Sequence, residues 1–100
     1  MEEIIKTPNE TYPVSIDYTD RLPSGASLVS ATAVIYDTID DSNVASTMIP
    51  GSVSVNGSSV LFDLVAGTAK KDYLMIVTAT ITGSKPLEDF FAVRVVQPSL

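Results

Sequence analysis

The chain contains no histidine, no cysteine and no tryptophan. Without cysteine there are no disulfides or thiolate ligands, and without histidine imidazole metal sites and most nucleophile–base arrangements are excluded as well. Positive charge is scarce: six Lys and Arg stand against twelve Asp and Glu, a net charge of −6. A phosphate backbone would be repelled unless those few cations gathered on one face, so nucleic acid is not an expected partner. There are five glycines, no two within three residues of each other, which rules out the glycine-rich loops that cradle phosphates. No stretch approaches the roughly 18 uninterrupted apolar residues of a membrane span. The opening Met1-Glu2-Glu3-Ile4-Ile5-Lys6 lacks the cationic and apolar regions of a signal peptide, so cytoplasmic synthesis and no membrane partner are expected.

What remains is the composition of a folded domain. In 100 residues, 45% are hydrophobic and 18% charged, the balance of one globular unit spanning residues 1–100. Val, Ile and Thr are abundant, and these β-branched side chains favour pleated strands over helix. Residues 1–12, interrupted by Pro8-Asn9 and closed by Pro13, read as an extended N-terminal arm. Glu3 to Lys6 and Pro13 to Asp17 are two short pieces of a split edge strand, where a missing N–H is tolerated.

Two-residue periodicity organises the rest. From Leu28 to Thr38 the set Val29, Ala31, Ala33 and Ile35 is uniformly apolar and is expected to face the core. Asp37 to Asn43 reads as a loop and Val44 to Ile49 as a short strand. Asn56-Gly57, flanked by alternating residues, is the strongest hairpin signal and predicts a tight hairpin over about Ser52 to Val65. Val60, Phe62 and Leu64 share one face, Tyr73, Met75, Val77, Ala79 and Ile81 another, and Phe91, Val93 and Val95 a third; Gly83 to Pro86 turns the chain and Pro98 ends the last strand. Six to eight short strands at this spacing predict an antiparallel sandwich or small barrel, and the lack of helical patterns between strands argues against parallel crossovers.

Little of the sequence carries chemistry. Asp37, Asp40 and Asp41, close to Asn43, are weak candidates for a hard cation, because the loop lacks the glycine and distant glutamate of a calcium-binding loop; a solvated acidic loop is the plainer reading. Asp17 and Asp20 fit turn capping beside Thr19 and Ser24 better than an acid–base pair. A Ser–Lys dyad with Lys70, Lys71 or Lys85 lacks its usual spacing. Leu22 is one large apolar residue in an otherwise polar loop. Tyr12, Tyr18 and Tyr36 read as half-buried strand packing. The segment Gly67 to Tyr73 suits a tyrosine corner, in which the Tyr73 hydroxyl turns back to the preceding backbone and Gly67 shapes the turn. The expected structural residues are therefore Tyr73, Gly67, Leu22, Asn56 and Gly57, with no catalytic residue and no cofactor.

Three segments go further. Asp17-Tyr18-Thr19-Asp20-Arg21-Leu22, Gly67-Thr68-Ala69-Lys70-Lys71-Asp72-Tyr73 and Glu88-Asp89-Phe90-Phe91-Ala92-Val93-Arg94-Val95 resemble, in order and spacing, a group of short tailed-phage and prophage proteins. That family has an Asp-Tyr-x-Asp-x-Leu start, a Gly-Gly-Thr-Ala-Gly-x-x-Tyr corner and an acidic-to-apolar last strand ending in Val-Arg-Val. Here Arg21 replaces an aromatic, Ala66 the first corner glycine and Lys70 another. The resemblance implies an all-β, immunoglobulin-like antiparallel β-sandwich of about seven strands. It also implies a non-enzymatic virion structural or assembly protein, made in the bacterial host cytoplasm, whose partners are other virion proteins or itself as a homo-oligomer. The alternative expectation is a host-surface or carbohydrate-binding module using Tyr36, Asp37, Asp40 and Asp41.

Overall fold

A computed structural model describes residues 2–22, 24–83 and 86–97. Seven strands run along the chain: β1 (Glu2–Lys6), β2 (Tyr12–Asp17), β3 (Leu28–Asp37), β4 (Ser54–Asn56), β5 (Ser59–Leu64), β6 (Lys71–Ile81) and β7 (Leu87–Val95). A 3-10 turn over Thr19–Arg21 and one helical turn, α1 (Ala45–Met48), complete the described elements. The strands form a four-stranded sheet in the order β1-β7-β6-β3 and a three-stranded sheet in the order β2-β5-β4, packed face to face as a sandwich. Expected features at Pro23, Ser84, Lys85 and Pro98 lie outside the described residues.

Period-two patterning explains the packing. Tyr73, Met75, Val77, Ala79 and Ile81 of β6 are all buried, as are Phe91, Val93 and Val95 of β7 and, across the gap, Val60, Phe62 and Leu64 of β5. Asp63, between the last two, is exposed. Each large aliphatic or aromatic side chain removed from water in this way contributes on the order of 1.5–3 kcal/mol before the entropy of ordering is subtracted.

The structure corrects the sequence-based expectation at five places. Val29 is 58% exposed while Leu28 is buried, because the pairing of β3 with β6 shifts between Leu28 and Ser30; that irregularity inverts the inside–outside alternation at the start of β3. Within Val44 to Ile49, expected as a strand, Ala45–Met48 is a helical turn. The Asn43 side chain accepts the Ala45 N–H at 3.0 Å, and the Ile49 N–H closes onto the Ala45 carbonyl at 2.7 Å, so these local hydrogen bonds outweigh the β-preference of Val44 and Ile49, and Met48 is buried in the core. The hairpin forms where expected, but Asn56 pairs with Ser59, so its two central residues are Gly57 and Ser58. With φ of +63° at Gly57, glycine supplies the first central position of a two-residue turn.

The fourth correction concerns the first strand. Its two pieces are edges of different sheets: β1 on the four-stranded sheet and β2 on the other. β1 runs parallel to β7, Glu2 opposite Phe91 and Lys6 opposite Val95. Such a pair needs a long connection, and here nearly the whole chain provides it. Lys6 is buried although it is charged; its Nζ donates to the carbonyls of Ala66 at 2.5 Å and Thr7 at 2.6 Å. Burial pushes its pKa down, and Glu10 partly offsets this. Fifth, Tyr18 lies in no strand and is fully buried.

Candidate functional site

The side of the sandwich where both sheets begin is open. β1 and β2 are the outermost strands of their sheets on that side, and β1 covers β7 only from Phe91 onward. The gap between them is a groove of about 820 Å³. Its floor is apolar: Ile4, Val14 and Phe91 are buried core residues that reach it, with Tyr12 and Ile16 partly covered beside them. Its rim is acidic, formed among the described residues by Glu2, Asp17, Glu88 and Asp89 with a single cation, Arg21. Four carboxylates and one guanidinium leave −3, half of the chain's −6, on this one side.

Backbone direction follows from the pairing. Tyr18 N–H donates to Ser58 O at 2.8 Å, continuing the β2–β5 register. In an antiparallel pair successive residues alternate sides, so the even residues of β2 face β5 while Pro13, Ser15 and Asp17 turn their main chain toward the groove. Val96 N–H donates to Lys6 O at 2.8 Å, which by the same alternation turns the main chain of Glu88 and Phe90 toward the β1 side, where β1 starts opposite Phe91 and its Glu2 N–H takes the Phe90 carbonyl. Among the described residues no strand pairs with β2 or with Glu88 on that side.

The loop after β2 fixes the charged end of the groove. Asp17 accepts the Thr19 N–H at 2.9 Å and its hydroxyl at 2.6 Å, and these bonds hold the Asp17 carboxyl below the usual carboxylate range. Asp20 stays exposed in the 3-10 turn. Arg21 Nη1 bridges both oxygens of Asp89, at 2.6 and 2.7 Å, and its guanidinium lies 5.1 Å from the centre of the Tyr18 ring, within cation–π range. Burial, and then the nearby Asp89 carboxylate, push the Tyr18 pKa up. Yet the Tyr18 hydroxyl makes no hydrogen bond of acceptable geometry.

The acidic loop expected as a weak cation site is satisfied internally. Asp37 is buried and accepts Lys71 Nζ at 2.6 Å and the Ile39 N–H at 2.9 Å; the Lys71 hydrogen bond is the main reason its carboxyl titrates low. Asp40 accepts the Ser42 N–H and hydroxyl at 3.0 and 2.7 Å, and Asp41 is exposed with φ of +59°. Among the described residues no three acidic side chains converge as a metal site would require. Tyr36 and Asp37 are neighbours on β3 and point to opposite faces of the sheet.

The remaining singled-out residues lie in the core and its turns. Tyr73 Oη accepts the Thr68 N–H at 3.0 Å. Gly67, at φ +95°, sits where a Cβ would stand 2.8 Å from Val95 Cγ2 and 3.1 Å from Met48 Cε. Leu22 packs on the core edge; Gly57 sits in the hairpin turn, and Asn56 is the last paired residue of β4 rather than a central turn residue. Sequence reasoning did not find the groove, because its walls come from residues 2–17 and 88–91; the edge proline Pro13 and the acidic step Glu88-Asp89 before Phe90-Phe91 were its only local signs.

A protein-family model described as podophage GP4 fiber-tail adaptor protein gp77 matches residues 6–94 of the chain. No curated protein matches it.

Proposed function

Since this chain belongs to the podophage GP4 fiber-tail adaptor gp77 family, and is therefore a structural component of a phage tail, we propose that it works without catalysis by docking neighbouring virion proteins. The observation that carries this reading is the acidic, apolar-floored groove between two unpaired strand edges. Free main-chain groups beside an apolar floor are what strand addition uses: backbone bonds supply affinity and alternate side chains supply selectivity. No His or Cys is present to build a reactive centre, and Asp17 and Asp40 are engaged in turn capping while Asp37 and Asp89 are held in ion pairs.

The sandwich is read as immunoglobulin-like. Taking β2 to β7 as strands B to G, the sheets become B-E-D and C-F-G, with β1 attached to G. Tyr73 then falls early in strand F with its hydroxyl bonded back to the preceding corner. A second copy of the chain is a further partner in this reading. β1 is an edge strand with a buried Ile4, the kind of element that protomers exchange, and removal of residues 1–12 would then lower the oligomer mass measured by light scattering. Synthesis in the host cytoplasm accompanies the same reading.

Zero-length carbodiimide cross-linking of purified tails tests the contact. Glu2 and Glu88 should join to lysines of neighbouring tail proteins. Cross-links confined to the far loop at Asp40 and Asp41, or purified tails without the chain, would overturn it.

A further inference from the structure

We infer that the groove takes an extended, cationic segment of a partner protein, one that alternates Lys or Arg with medium-sized apolar side chains; this rests on the docking function proposed above and names its partner chemistry. A strand presents successive side chains to opposite sides, so a segment lying in the groove sends one set to the floor of Ile4, Val14 and Phe91 and the other to the rim. The floor selects apolar groups. The rim, with four carboxylates against Arg21, selects positive ones. Glu2 and Glu88 are exposed and make no ion pair with any described residue, so their charge is available to an arriving cation. Among the described residues the only cation at the rim, Arg21, is already held by Asp89.

Main-chain placement points the same way. Glu88 and the N–H of Phe90 present their backbone beyond the start of β1, giving a short run of two donors and one acceptor in line with an existing strand. Pro13 removes one donor from the opposite edge, so β7 is the better partner for an added strand and β2 the wall against which it packs. At the charged end, the fully buried Tyr18 hydroxyl has no hydrogen-bond partner and lies against the Asp89 carboxylate of the rim.

The test uses the full chain, isotope-labelled for NMR at low salt, titrated with a capped hexapeptide of alternating Lys and Val and, separately, of alternating Glu and Val. The Lys–Val peptide should give saturable shifts confined to Val14, Ile16, Phe90 and Phe91, weakening as salt is added. The Glu–Val peptide should give none. Glu2→Lys with Glu88→Lys should weaken binding at least tenfold, whereas Asp40→Lys with Asp41→Lys should leave it within twofold. Shifts without saturation, shifts spread over other faces, or equal affinity for the rim variant would overturn the inference. A failed titration with a chain still cross-linked inside tails would sink this partner and leave the docking reading standing. Clean peptide binding by a chain that tails lack would do the reverse.

Discussion

The two ends of β7 are built on opposite principles. Near Val95 the sandwich is sealed: the buried Lys6 ammonium is taken up by two carbonyls, the Tyr73 hydroxyl by the Thr68 N–H, and Gly67 lets the corner press against Val95 and Met48. Near Glu88 it is open, with unpaired strand edges, four carboxylates and a buried hydroxyl that has no partner. One end commits its polar groups to the fold, and the other leaves Glu2 and Glu88 without an ion pair among the described residues. Unsatisfied groups mark the places where a protein departs from what stability alone would select.

Substitutions at the sealed end should show that difference most strongly. Gly67→Val places a β-branched side chain at a positive φ and a Cβ 2.8 Å from Val95 Cγ2. Strain and overpacking together should cost about 3 kcal/mol, a fall in melting temperature of more than about 10 °C by calorimetry. A loss below about 1 kcal/mol would mean that the corner is not sealed. Tyr73→Phe keeps the ring and removes the acceptor, leaving the Thr68 N–H unpaired. About 1–2 kcal/mol should be lost in urea denaturation.

How far the sequence discloses these two ends differs in a physically sensible way. β5, β6 and β7 are legible because each has one buried face and strict alternation, so a single pattern fixes both element and orientation. The Tyr73 corner is legible because Gly67 to Tyr73 is local in sequence. β3 is legible as a strand, though its first residues are inverted, since a bulge depends on how β6 pairs with it and not on its own composition. α1 was hidden behind Val44 and Ile49, whose β-preference gives way to a side-chain bond from Asn43. The groove is not local at all. It exists because β1 crosses to one sheet and β2 to the other, and no spacing rule brings Glu2 beside Glu88.

A smaller effect concerns acid. Asp37 belongs to the sealed end through Lys71, which lies opposite Val95. Its folded pKa is depressed below the usual 3.8, so it contributes stability that is present above that value and lost as pH falls through the folded pKa. Asp17 and Asp40 are shifted the same way. Asp37→Asn should therefore lower the urea midpoint at pH 7 and flatten its decline between about pH 4 and pH 2. An unchanged acid slope would assign that decline to the other two carboxylates.

The smallest change should come from the open end, through the same chemical edit made at Tyr73. Tyr18→Phe also deletes a buried phenolic hydroxyl, but this one has no hydrogen-bond partner and faces the Asp89 carboxylate. Removing it relieves an unpaired polar group and orphans no donor, so stability should stay within about 0.5 kcal/mol of the parent or rise slightly. The two tyrosines thus form a controlled pair: equal deletions, equal burial, opposite bonding. If Tyr18→Phe cost as much as Tyr73→Phe, the Tyr18 hydroxyl would have to be bonded in solution, and the groove's charged end would be as closed as the corner at Val95. If only Tyr73→Phe is costly, satisfaction of the hydroxyl and not its burial sets the energy, and the open end is held open at little expense to the fold.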